Sequence, residues 1–252
     1  MNYIKHLIIL IIIFGSYSKS IAQFEKDTLR VLFVGNSYTS ISNMPHLVSL
    51  ISDSTKVKLI TTKSTAGGAT LSDHWNGEKE LKTKDVICSG LFDIVVIQAH
   101  SLETIENKEN FFKYSKLLCD LAKESGAKPY LYVTWSRQKY QHIQDKITKV
   151  YIEVAKVNEC DLVLVGEAWK LARTIRPDIL LYMSDGSHQN DLGAFLNACQ
   201  FVGKFTGEVP ANLNTSYRIK DAKGEEIMLF WEDALDVELC QKVASEFFIN
   251  VK

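Results

Sequence analysis

The chain is short of several things, and each shortage removes a class of protein. It has only 4 prolines and 13 glycines in 252 residues, too few for a collagen-like or low-complexity chain. Its 29 Lys and Arg stand against 30 Asp and Glu, with no long block of either sign. The basic excess or stripe that accompanies nucleic-acid binding is therefore missing. The cysteines Cys88, Cys119, Cys160, Cys199 and Cys240 form no C-x-x-C pair. Their number is odd and several sit on apolar faces, which reads as buried free thiols. Export would also allow one or two disulfides, which the spacing does not assign. The histidines (His6, His46, His74, His100, His142 and His188) give no H-E-x-x-H and no i, i+4 pair, so no metal site is expected. Neither G-x-x-x-x-G-K-[ST] nor G-x-G-x-x-G occurs, and no organic cofactor is expected. No apolar run approaches the ~20 residues of a membrane-spanning helix.

What is present is a globular composition, 46% hydrophobic and 23% charged, which excludes a disordered chain. Residues 1–22 stand apart. Lys5 and His6 precede the apolar run Leu7 to Phe14, and Ser20-Ile21-Ala22 offers a small-x-small cleavage site before Gln23. This reads as a secretory signal peptide. The competing reading, an uncleaved anchor, needs a longer apolar run. The absence of a Cys at the cleavage point argues against a lipid anchor. The expected product is residues 23–252, periplasmic or secreted, with no stable membrane insertion. Loss of Lys5 and Lys19 leaves 27 bases and 30 acids, a net charge of −3.

Along the rest of the chain, strand-like and helix-like stretches alternate. Thr28 to Val34 is a near-continuous apolar run, as in a strand buried on both faces. Pro45 to Ser52 is amphipathic, Val57 to Ser64 alternates, and Asp93 to Gln98 is a third strand. A helix follows over 108–125, then a strand over Tyr130 to Trp135 and a helix over Ile143 to Val157. Leu162 to Val165 is a fifth strand, followed by helices over Glu167 to Ile175 and Leu192 to Phe205. Glu226 to Trp231 reads as an added edge strand, and Asp233 to Phe248 as a closing helix. This alternation predicts a parallel sheet with helices on both faces. No linker divides residues 23–252, so one domain is expected.

In such sheets ligands bind beyond the carboxyl ends of the strands, and three loops there carry chemistry. In Gly35-Asn36-Ser37-Tyr38-Thr39, a Ser at a strand-to-helix turn exposes its hydroxyl and its amide to one space, as a nucleophile with an oxyanion donor would need. An ordinary helix cap explains the same residues. In Asp185-Gly186-Ser187-His188, a His can serve as base and an Asp three residues away can orient it. A polar turn capping the next helix is the alternative. Gly67-Gly68 allows a close backbone approach and a free amide, or is a plain loop. His74-Trp75 and Trp135-Ser136-Arg137 lie in or beside loops expected near the same place. There Trp135 and Tyr38 are candidates for stacking on a sugar ring, with core packing the alternative for Trp135.

Taken together and in this order, these blocks resemble the SGNH hydrolases, the group that includes GDSL-type esterases. The first block reads V-L-F-V-G-N-S-Y-T, with Asn36 where many members have Asp. The second reads G-G-A-T-L, and the last S-D-G-S-H-Q-N-D-L-G-A-F-L-N-A. The resemblance covers residues 28 to about 206. It implies a three-layer α/β/α fold on a mainly parallel five-stranded, flavodoxin-like sheet. It also implies Ser37 as nucleophile, His188 as base, Asp185 as the residue orienting it, and the amides of Ser37 and Gly68 as oxyanion donors. The family's further donor is an Asn in Gly-x-Asn-Asp after the third strand. This chain has Ile97-Gln98-Ala99-His100-Ser101 there, and Gln98 is the expected replacement, with His100 and Ser101 as alternatives. The implied activity is cleavage of carboxylic esters, with acylated carbohydrates the favoured substrates. A weak or inactive carbohydrate-binding protein and an O-acyltransferase are the alternatives.

Overall fold

The computed structural model of the protein describes residues 27–250, with side chains as far as 247. The signal peptide expected over residues 1–22 lies outside the described residues. The first apolar run forms β1 (Asp27–Gly35), followed by α1 (Ser37–Ser40) and α2 (Met44–Ser52). Next come β2 (Val57–Thr65), α3 (Leu71–Asn76) and α4 (Thr83–Cys88), then β3 (Ile94–Ile97), α5 (Glu103–Glu106) and α6 (Lys108–Glu124). After these follow β4 (Lys128–Tyr132), α7 (Gln144–Val157), β5 (Asp161–Val163), α8 (Val165–Ile175) and α9 (Asp191–Thr206). The five strands pair in the order β2-β1-β3-β4-β5, every pair parallel. This is the three-layer arrangement expected.

Alternation along β1 explains the layers. Val31 and Phe33 point to one face and pack with residues of α2, α8 and α9. Leu32 and Val34 point to the other and pack with α3, α4, α6 and α7. All four are fully buried, so the strand has no polar face, as a central parallel strand requires. Burial of such side chains stabilises the fold by roughly 1.5–3 kcal/mol each. Phe33 meets Phe201 of α9 edge to face at 5.0 Å. Phe111 of α6 meets Tyr151 of α7 at 4.8 Å in the opposite layer.

The expected edge strand at Glu226 to Trp231 is corrected. It forms β7 (Glu226–Trp231), paired antiparallel with β6 (Ser216–Lys220) in a separate two-stranded ribbon. The ribbon buries Phe230 and Tyr217, and the Phe230 ring stacks on Phe195 of α9 at 4.3 Å. Its apolar side is thus taken by the helical layer and not by the sheet edge. The closing helix is α10 (Ala234–Asn250), whose Val237, Cys240 and Val243 join the same core. The fourth strand is also shorter than expected. Beyond Tyr132 the chain leaves the strand and carries Thr134, Trp135 and Ser136 inward, all buried. Among the described residues no helix is long and apolar enough to cross a membrane.

The chain leaves β1 toward β2 on one side and reaches β3 on the other. The carboxyl ends of β1 and β3 therefore frame the crevice where such folds place ligands.

Candidate active site

Ser37 is the first residue of α1, at the end of β1. At this position its own amide has no partner within the helix. Asn36 caps the helix, its Oδ1 accepting from the Tyr38 amide at 3.0 Å. The same side chain donates from Nδ2 to the Ala69 carbonyl at 2.9 Å. It thereby ties the serine turn to the glycine loop after β2. Gly35 is required by closeness. A Cβ there would fall 2.5 Å from Gln98 Oε1 and 2.6 Å from Thr39 Oγ1, far inside contact distance.

The second part of the site is the turn before α9. Asp185 Oδ1 accepts from the amides of Ser187 at 2.8 Å and His188 at 3.0 Å. Its Oδ2 accepts from His188 Nδ1 at 2.5 Å. Gly186 takes φ +64° to close this turn, a conformation glycine adopts without strain. Gln189 is fully buried and donates to the Tyr38 and Ile41 carbonyls at 3.1 and 3.3 Å. It pins this turn against the serine turn. As a result Ser37 Oγ lies 2.8 Å from His188 Nε2, across 151 residues of sequence.

Protonation follows from these contacts. Partial burial pushes the Asp185 carboxyl upward. The hydrogen bonds from His188 and the two amides outweigh it and bring the pKa down to about 2. Asp185 is thus an anion at neutral pH and fixes the imidazole proton on Nδ1. Nε2 is left as the acceptor, and the Ser37 hydroxyl donates to it. A hydroxyl, an imidazole and a carboxylate in this order can generate a serine nucleophile.

A cavity of about 180 Å³ opens on this arrangement, lined by Ser37, Gly68, His100, Ser101, Arg137 and His188 among others. Gly68 takes φ +60° there. Tyr38 lines the cavity but is 3% exposed. Its hydroxyl pairs with Ser187 Oγ at 2.6 Å.

Two expected site residues are placed elsewhere. The Gln98 carboxamide is fully buried beneath the serine turn. Its Oε1 accepts from the Asn36 amide at 2.9 Å and from Thr39 Oγ1 at 3.0 Å, so the oxygen must face these donors. That turns Nε2 onto the Ala99 carbonyl, and the expected oxyanion contact is corrected to a scaffold role. Of the three candidates after β3, His100 and Ser101 reach the cavity. Trp135 is fully buried, stacked between Tyr38 at 4.5 Å and Trp169 at 4.2 Å. Its Nε1 donates to the Ser187 carbonyl at 2.9 Å. It holds the histidine turn in place, and no ring face remains for a sugar.

His74 is likewise fully buried. Its ring bridges Thr83 Oγ1 at 2.7 Å and the Gly35 carbonyl at 2.9 Å, and burial lowers its pKa despite the Gly35 bond. The neutral ring donates from Nε2 to Gly35 and accepts at Nδ1. Burial, followed by the Arg137 charge, also lowers His100. Glu103 behind it is raised by burial. Sequence reasoning missed Gln189, whose importance rests on contacts some 150 residues away. It noticed Arg137 only as a neighbour of Trp135.

No family model matches the chain, and no curated protein matches it. Solved structures do. A DUF4886 family protein from Bacteroides uniformis aligns with TM-score 0.69 at 17% identity, over 89% of this chain and 96% of that one. An SGNH hydrolase assignment from Slackia heliotrinireducens aligns with TM-score 0.59 at 22% identity, over 72% of this chain and all of that one. The acetyl xylan esterase AlAXEase aligns with TM-score 0.55 at 17% identity, over 70% and 100%. At such identities the likeness concerns the fold alone, and the fold of this chain is that of the SGNH hydrolases.

Proposed function

We propose that the protein is a serine hydrolase cleaving carboxylic esters through an acyl-enzyme. The observation that carries this reading is the hydrogen-bonded line from Ser37 Oγ to His188 Nε2 and from His188 Nδ1 to Asp185. His188 takes the Ser37 proton as Oγ attacks the ester carbonyl, and the imidazolium formed is held by the Asp185 carboxylate. The oxyanion is met by the amides of Ser37 and Gly68. Ser101 is suited to add a third donor. Its Oγ accepts from Arg137 Nη2 at 3.0 Å, which leaves its own proton free to donate. His188 then returns its proton to the leaving alkoxide. A water, deprotonated by His188, releases the acid and restores Ser37.

The cavity of about 180 Å³ is smaller than the ~300–1,000 Å³ usual for drug-sized ligands. A short acyl group such as acetyl suits it. Together with the expected export of residues 23–252, this favours an O-acyl carbohydrate as substrate. An acetyl xylan esterase among the structural neighbours is consistent with that choice.

The test is hydrolysis of p-nitrophenyl acetate, with fluorophosphonate labelling alongside. Wild type is expected to turn over and to label, and Ser37→Ala to do neither. A folded wild type that neither hydrolyses nor labels would refute the reading and leave a binding protein. Acyl transfer to an added sugar in place of acid release would point to an acyltransferase.

A further inference from the structure

Arg137 is the cavity's unexplained residue. It lies in the loop beyond β4, two residues after Trp135, and lines the same 180 Å³ space as Ser37 and His188. Among the described residues its guanidinium makes one hydrogen bond, to a neutral partner, from Nη2 to Ser101 Oγ. Its Nε is buried without a partner. Among the described residues no carboxylate forms an ion pair with it, whereas Arg176 pairs with Asp236 and Arg218 with Glu226. Arg173 has no carboxylate partner among them either, but that guanidinium is covered by the Tyr182 hydroxyl and ring. The neighbouring His100 feels Arg137 as a repulsive charge. It feels the acids Glu106 and Asp73 as well, but neither is within ion-pair distance of Arg137. Lys79 at the glycine loop is already engaged by Asp73 at 3.6 Å and the Gly67 carbonyl at 3.1 Å. A partly buried, always-charged fork with spare donors needs a counter-ion, and the open side of this one is the cavity.

We propose that Arg137 is a specificity residue that binds a carboxylate on the substrate. The preferred ester then carries an acidic group close to the bond that is cut, as an acylated acidic sugar would. A carboxylate matches the planar fork and can take two parallel bonds, which a hydroxyl of a neutral sugar cannot. The proposal rests on the hydrolase reading above for the position of the scissile bond. The anion site itself is read from the geometry of Arg137. Loss of a charge-assisted pair of this kind lowers affinity or rate by roughly 10- to 100-fold.

The experiment compares matched acidic and neutral esters. 4-Acetoxybenzoate and its methyl ester place the charge on the alcohol side. Mono-p-nitrophenyl succinate and p-nitrophenyl acetate place it on the acyl side. Values of kcat/KM are normalised to hydroxide hydrolysis of each ester. Wild type is expected to prefer the acidic member of one pair by at least about tenfold. Arg137→Gln should abolish that ratio, and Arg137→Lys should keep part of it and serve if the Gln variant does not fold. Ser37-dependent hydrolysis of the neutral esters with no acidic preference would overturn the proposal and leave the hydrolase reading standing. If no ester is turned over, the hydrolase reading fails. Titration calorimetry of 4-acetoxybenzoate into Ser37→Ala then decides the anion site alone. Heat that disappears in Ser37→Ala/Arg137→Gln supports it, and absence of binding overturns it.

Discussion

Removing the Gln98 side chain separates two explanations of that residue. As an oxyanion donor it would contribute to rate, on the order of 10²–10³, and little to stability. The structure assigns it the opposite balance. Gln98→Ala would orphan the Asn36 amide, the Thr39 hydroxyl and one bond to the Ala99 carbonyl, all served by one fully buried carboxamide. Each buried group left unpaired costs about 1–3 kcal/mol. The Ala99 carbonyl and the Thr39 hydroxyl lie at the low end, since one keeps another lone pair and the other can rotate. A loss of about 3–5 kcal/mol results, before any cavity is counted. For a chain of this size 1 kcal/mol moves Tm by roughly 2–4 °C, so a fall of about 10 °C is expected. Thermal unfolding followed by circular dichroism measures it. The rate on p-nitrophenyl acetate is taken at a temperature where the variant is folded. A Tm within 2 °C of wild type, together with a rate loss of about 10²–10³, would refute the scaffold assignment.

Asp185→Asn keeps an acceptor for the two amides but offers an NH₂ to His188 Nδ1. The imidazole proton moves to Nε2, and kcat is expected to fall by up to about 10⁴. Because the Asp185 side chain is about half exposed and asparagine keeps the bonds to both amides, Tm should move little. Gly35→Ala drives a methyl into Gln98 and Thr39 and should cost about 1–3 kcal/mol in a urea titration. Unfolding free energy should also fall as pH drops below about 6.5, because the unfolded chain protonates His74 there while the buried ring, with its lowered pKa, does not. The stabilisation is complete above that ordinary value and is lost toward the depressed folded value, with a slope of at most about 1.4 kcal/mol per pH unit. Urea titrations at pH 7.5, 6.5 and 5.5 measure it. A slope equal in wild type and His74→Gln would exclude His74 as its source.

What the sequence made legible was local. The apolar run at β1 and the serine just beyond it follow from composition and turn chemistry over ten residues. Asp185 and His188 are three positions apart and share one turn, so their pairing could be anticipated. Gln98 shows the limit. Its carboxamide faces down or up according to Asn36 and Thr39, about 60 residues earlier, and no local pattern encodes that choice. Trp135 is similar, since an aromatic at a strand end looks the same in a sequence whether it stacks on a ligand or on Tyr38 and Trp169. The six-residue helices α3 and α4 are too short to show a helical period. The ribbon β6–β7 was misread because one strand was visible and its partner was not. Arg137 needed the cavity to be seen, because an arginine without a counter-ion matters only where it faces the reacting groups.

The stack of Tyr38, Trp135 and Trp169 has a consequence for how the protein can be watched. Two of its four tryptophans lie face to face at 4.2 Å, and the third ring in the column belongs to the residue after Ser37. Electronic transitions of rings this close mix, so the column acts as a single chiral chromophore in the near ultraviolet. Any movement of the serine turn, or of the histidine turn hung from the Trp135 indole, alters the spacing in that chromophore. The near-ultraviolet circular dichroism of the unlabelled protein is thus a direct optical readout of whether its nucleophile and base are in register.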